Sequence, residues 1–179
     1  IQSERISNSN DTFNATLKLI IIYGIAHAMS YLHKNNIIHR DLKPANILLG
    51  NFLLPKIADF GFSKFNSTMD SIAGIKGTPI YISPEIWEKY EYTKACDVYA
   101  FALIVYEIIT NEKPFKDLQF FQILVKIKER YRPEFKKPIP DSYKNLIIKC
   151  WSQDPLGRPT FDQILNELKT NRGFITDSV

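Results

Sequence analysis

The sequence predicts a mostly α domain with a few short strands, and three observations predict it. Apolar residues recur at helical spacing from Leu17 to Leu32. A second stretch, beginning at Lys94, is apolar on nearly every side. Three short β-like pieces of two or three residues lie between them.

The first helix rests on Leu17, Ile20, Ile21, Gly24, Ile25, Ala28, Met29 and Leu32, which form one buried stripe. Asn14 or Thr16 is expected to cap its start, and "HKNN" to close it. Short strands are expected at Ile37–Ile38, Ile47–Leu49 and Lys56–Ala58, with Gly50-Asn51 turning between the last two. Asp59 to Glu85 shows no sustained period, holds three of the seven glycines, and reads as a long loop. After Thr93, "KACDVYAFALIVYEIIT" suits a central helix surrounded by others, and "NEKPF" breaks it. Helices follow near 120–130 and 142–151. A last one opens with Thr160-Phe161-Asp162-Gln163, a capping box.

A chain of 179 residues with 45% hydrophobic and 23% charged residues can build one domain with a proper core. The net charge of +4 is mild and no run of five Lys/Arg occurs, which argues against a nucleic-acid partner. Cys96 and Cys150 form no CxxC pair, so neither a zinc site nor a disulfide framework is expected. The polar start carries no signal peptide, and the apolar run from Val98 to Tyr106 is too short to cross a bilayer. The expected setting is the cytoplasm, where the Asn-x-Thr sequons at Asn10, Asn14 and Asn66 carry no meaning.

The stretch "HRDLKPANILL" at 39–49 sets a base, two cations, an acid and an amide in a loop between strands, and "DFG" begins twenty residues after His39. Packing alone does not require that mixture. "GTPIYISPE", "DVYAFA" and "RPT" follow in order. Together these motifs resemble the C-terminal lobe of a eukaryotic protein kinase, an α+β fold whose helical lobe carries short strands around the catalytic loop. The resemblance runs over about residues 17–169.

That resemblance implies phosphoryl transfer from ATP, with Mg²⁺, to a hydroxyl of a protein substrate. It makes Asp41 the acceptor of the substrate hydroxyl proton and sets Lys43 on the transferring phosphate. It gives Asn46 and Asp59 to the metal ions and lays Leu48 under the adenine. Gly61 lets the backbone turn so that Asp59 faces the metals, and His39 packs under Phe60 as a structural residue. Arg40 is expected to pair with a phosphate in the following loop, where Ser67, Thr68 and Ser71 are the candidate acceptors. Glu85 and Arg158 resemble a buried ion pair, and Asp97 an acid that holds the catalytic-loop backbone. Lys43 and Thr78 resemble serine/threonine rather than tyrosine kinases, closest to the tyrosine-kinase-like group. Departures are Ser83 in place of the usual Ala, and Tyr99 and Ala102 where Trp and Gly are common.

No glycine precedes Gly24 and no Val-Ala-x-Lys precedes the catalytic loop. Residues 1–179 are therefore expected to be the C-lobe alone, with the N-lobe and half of the nucleotide site absent. Two functions fit that expectation. The chain is either part of a working Ser/Thr kinase, inactive by itself, or a non-catalytic lobe that binds partners.

Overall fold

Strand β1 (Glu4–Arg5) is the first element of the computed structural model, which describes residues 4–5, 15–59, 64–65 and 79–175. Helix α1 (Ala15–Lys34) follows; Ile21, Ile25, Met29 and Leu32 of the expected stripe are buried, but Ile20 is exposed and Ile22 and Ala26 are buried in addition, because the arc that faces the core is turned toward Ile22 and Ala26. The helix begins at Ala15, so Thr16 is its second residue and not its cap; Asn14 lies outside the described residues. Then come β2 (Ile37–Ile38), β3 (Ile47–Leu49), β4 (Pro55–Ile57) and β5 (Lys64–Phe65). Helices α2 (Pro84–Lys89), α3 (Lys94–Thr110), α4 (Phe120–Lys128), α5 (Asp141–Cys150) and α6 (Phe161–Thr170) complete the order.

Helix α3 is the centre. Its residues from Cys96 to Tyr106 are all buried, which is why no polar face was visible in the sequence. Helices α1 and α5 pack against α3, and α6 packs on α1. The Phe161 ring, at the start of α6, meets Phe101 edge-on at 5.3 Å. Among the described residues, α1 is long and apolar enough to cross a membrane, but here its apolar stripe is part of this core. At the start of α6 the Thr160 side chain accepts from Gln163 N–H, and Gln163 accepts from Thr160 N–H, closing the expected capping box.

Two small sheets lie beside this bundle. Strand β3 pairs antiparallel with β4 (Ile47 opposite Ile57, Leu49 opposite Pro55) and, on its other edge, with β1. Strands β2 and β5 form a second antiparallel pair. The β3–β4 connection does not turn at Gly50-Asn51 as expected. Its left-handed residues are Phe52 and Leu53, with φ of 60° and 59°, and Gly50 N–H bonds Leu54 O at 2.9 Å across the loop. The 59–85 segment is also not simply a loop. It contributes β5 and a 3₁₀ turn at Pro79–Tyr81, and α2 begins at Pro84. Proline at a first helical position costs no hydrogen bond, and six helical residues are too few to show a period.

Candidate active site

The chain leaves β2 into His39, and the next residues are fixed from beneath by α3. Asp97, 1% exposed, accepts the His39 N–H at 2.9 Å on Oδ2 and the Arg40 N–H at 3.0 Å on Oδ1. His33, from the last turn of α1, donates Nε2–H to the same Oδ2 at 2.9 Å. A buried carboxylate needs such donors, and three of them together anchor a strained backbone. Arg40 is indeed left-handed, with φ of 69°. His33 was missed in the sequence, although a histidine continuing the buried stripe past Met29 is a signal that it faces inward.

His39 is fully buried and makes two local bonds that define its tautomer. Nε2–H donates to Ala58 O at 3.1 Å, and Nδ1 accepts the Asp41 N–H at 3.3 Å. The ring thus links the loop to the end of β4. Phe60, its expected neighbour, lies outside the described residues, as do Gly61, Ser67, Thr68, Ser71 and Thr78.

Asp41, Lys43 and Asn46 come together. Asp41 Oδ2 accepts from Lys43 Nζ at 2.7 Å and from Asn46 Nδ2 at 3.1 Å, and Asn46 Nδ2 also reaches Asp41 O at 2.8 Å. Pro44 starts a 3₁₀ turn that carries Asn46 into β3, so spacing and backbone together fold the amide back onto the acid. Asp41 and Asn46 are buried, and Lys43 is half-buried. Ala58 N–H bonds Asn46 O at 2.8 Å, which brings the following residue, Asp59, to the same edge. Asp59 is exposed and left-handed, with φ of 62°. Leu48 lies between the buried Ile47 and Leu49 and so faces away from the core.

Glu85 and Arg158 meet in bidentate form, at 2.6 and 2.8 Å. Arg158 also donates to Ala95 O and Ser152 O, and the Cys96 thiol donates to Glu85 Oε1 at 3.3 Å. Burial pushes the Glu85 carboxyl up, but the hydrogen bonds and charge of Arg158 outweigh it and hold the carboxyl below its ordinary range. Burial, with Glu85 adding to it, pushes the Cys96 thiol up to about 12. Tyr99 takes the Trp position with Arg132 and Arg158 over its ring, at 5.3 and 5.1 Å. Sequence reasoning also missed Tyr81, whose hydroxyl donates to Glu107 Oε2 at 2.8 Å and ties the segment before α2 to α3. A groove of about 1190 Å³ lies around His33, Glu85, Lys128 and Arg158, away from Asp41; its walls carry charges of both signs.

The family model for protein tyrosine and serine/threonine kinases matches residues 3–168, and the chain belongs to that family. A probable serine/threonine-protein kinase of Dictyostelium discoideum is 41% identical over 145 residues, which is 80% of this chain and 16% of the relative. A dual specificity protein kinase of the same organism is 40% identical, covering 88% of this chain and 12% of its own length. A putative serine/threonine-protein kinase/receptor of Acanthamoeba polyphaga mimivirus is 36% identical, covering 84% of this chain and 9% of its own length. The chain thus spans less than a fifth of each of these three relatives.

Proposed function

We propose that the chain is the substrate-side lobe of an ATP-dependent kinase that phosphorylates serine and threonine hydroxyls of proteins. One observation carries the reading: Lys43 and Asn46 both converge on Oδ2 of Asp41. Among the described residues Oδ1 accepts no hydrogen bond, so it is the oxygen left to accept the substrate hydroxyl and, late in transfer, its proton. Aspartate is a weak base, and what the fold supplies is placement. Lys43 gives a point charge for the phosphate being transferred.

ATP and Mg²⁺ fit the residues present. Asn46 uses Nδ2 on Asp41, so its Oδ1 is available, and the Asp59 carboxylate is exposed at the same edge. Both are hard oxygen donors of the kind that holds Mg²⁺ together with phosphates and water. Bound by these two oxygens, Mg²⁺ would supply positive charge to the phosphate oxygens. Leu48, turned out of the core, offers an apolar surface to the adenine. The sequence holds no G-x-G-x-x-G, and the reading assigns that phosphate-covering loop and its lysine to a longer parent chain.

Arg40 supports regulation by phosphorylation at Ser67, Thr68 or Ser71. Its guanidinium rests over the Tyr92 ring at 5.1 Å, and Nε is buried without a hydrogen-bond partner among the described residues. Such a cation suits a phosphate carrying about −1.5 to −2 charge.

The test is phosphoamino-acid analysis. The parent protein is incubated with Mg-ATP labelled on the γ-phosphate and peptides offering Ser, Thr and Tyr. Label is expected on Ser and Thr; label confined to Tyr, or none, overturns the reading.

A further inference from the structure

Arg40 is gripped at both of its ends from the side of α3. Its N–H donates to Asp97 Oδ1 at 3.0 Å, and its guanidinium lies over the Tyr92 ring, 5.1 Å from the centroid. Thr93, the residue after Tyr92, caps α3, and Asp97 stands in the first turn, so one helix end carries both contacts. The Arg40 Nε is buried without a hydrogen-bond partner among the described residues. Burial pushes the Tyr92 hydroxyl above its ordinary value against the opposing charge of Arg40. The group beneath the guanidinium is therefore a neutral phenol, and the contact is that of a cation on a ring.

What this grip holds is the candidate base. Arg40 is left-handed, with φ of 69°, and Asp41 is the next residue. A strained backbone persists only where its surroundings over-determine it. Tyr92, Arg40, Asp41 and Asp97 also line one cavity of about 20 Å³. That is room for a single water and far too little for a guanidinium to swing through. On its other side Tyr92 borders the large groove that also reaches Glu85 and Arg158. Its ring is thus the partition between the two, and removing it frees the Arg40 side chain beside Asp41.

We propose that Tyr92 is a positioning residue for the candidate base: its ring seats the Arg40 guanidinium while no phosphate is bound there, and so keeps the Arg40–Asp41 backbone set. A phosphate paired with Arg40 imposes the same restraint by charge. The ring therefore matters most to the unphosphorylated protein. The seat follows from the geometry alone; its effect on transfer rests on the kinase reading.

The first arm is a magnetic resonance spectrum and needs no turnover. In the chain carrying isotope-labelled arginine, the Arg40 Nε–H signal is assigned by its loss in Arg40→Lys. A proton held over an aromatic ring is shifted upfield, and one buried from water exchanges slowly. The wild type should show both, with nuclear Overhauser contacts to the Tyr92 ring protons. Tyr92→Phe should keep the shift, and Tyr92→Leu should return the signal to the range of exposed arginines. An ordinary wild-type signal without ring contacts, or an upfield one that survives in folded Tyr92→Leu, overturns the proposal. If Tyr92→Leu does not fold, the wild-type contacts decide alone. The second arm uses the parent kinase, phosphatase-treated and fully phosphorylated. Tyr92→Leu should lower kcat of the treated form by about three- to tenfold, lower that of the phosphorylated form far less, and leave KM for ATP unchanged in both. Tyr92→Phe should restore kcat, and Tyr31→Leu, at an exposed tyrosine elsewhere on α1, should change neither form. Equal losses in the two forms, or none, overturn the positioning role, as does a wild type active only when phosphorylated. A parent without transfer activity in either form refutes the kinase reading, while the spectrum still decides the seat.

Discussion

Arg158 shows how much a single side chain holds here: its charge is fully buried, and Glu85 meets it on both oxygens. A pair of this kind adds little over an apolar substitute, but leaving one charge alone costs about 3–5 kcal/mol. Replacing Arg158 with Leu should therefore lower stability by about that amount, because the Glu85 carboxylate stays behind. The pair also sets a pH dependence. The Glu85 carboxyl is held below its ordinary range in the fold, so the unfolded chain binds the proton more readily. Its stabilisation is complete above the unfolded value of about 4.3 and disappears as pH falls through the lower folded value. Urea unfolding of wild type and Glu85→Gln should show a gap near neutral pH that closes in acid. A gap of constant size would mean that the charge of Glu85 contributes nothing.

At the scale of elements, α1 and β4 touch through a glycine. A Cβ at Gly24 would stand 2.5 Å from Cγ of Pro55 and 2.7 Å from Cδ. Such overpacking costs about 1–3 kcal/mol, and a helical alanine returns only about 1 kcal/mol over glycine. Gly24→Ala should thus lower the Tm, by calorimetry, in spite of better helix propensity; a higher Tm would show that the Pro55 ring yields freely. The sequence exposed Gly24 as part of a stripe and not as a contact, because Pro55 is far along the chain. The same limit explains what else was illegible. Helices α1, α3 and α6 announced themselves by period, by continuous apolarity and by the Thr160 capping box. Strand β1 is two polar residues paired with Leu48 and Leu49, and β5 two residues paired with Ile37 and Ile38. Pairing partners that distant leave no local pattern. The hairpin turn moved from Gly50-Asn51 to Phe52-Leu53 because the ladder hydrogen bond from Gly50 to Leu54 closes the loop around them.

In the molecule as a whole, residues from separate elements converge on one edge. Helix α3 supplies Asp97, the loop after β2 supplies Asp41 and Lys43, a 3₁₀ turn supplies Asn46, and the end of β4 supplies Asp59. The motif spacing made the cluster of Asp41, Lys43 and Asn46 readable before any coordinates. The supporting contacts from His33 and Tyr81 were not, since they depend on which helices meet. The central claim is that Asp41 receives the proton of the substrate hydroxyl. Asp41→Asn preserves size and burial and can still accept from Lys43, but it cannot take a proton. Steady-state γ-phosphoryl transfer from Mg-ATP to a Ser/Thr peptide, measured on the parent kinase and its Asp41→Asn variant, tests this directly. The expected result is a loss of about 10²–10⁴ in kcat with the fold and KM for ATP retained; turnover within a few-fold of wild type would contradict the role assigned to Asp41.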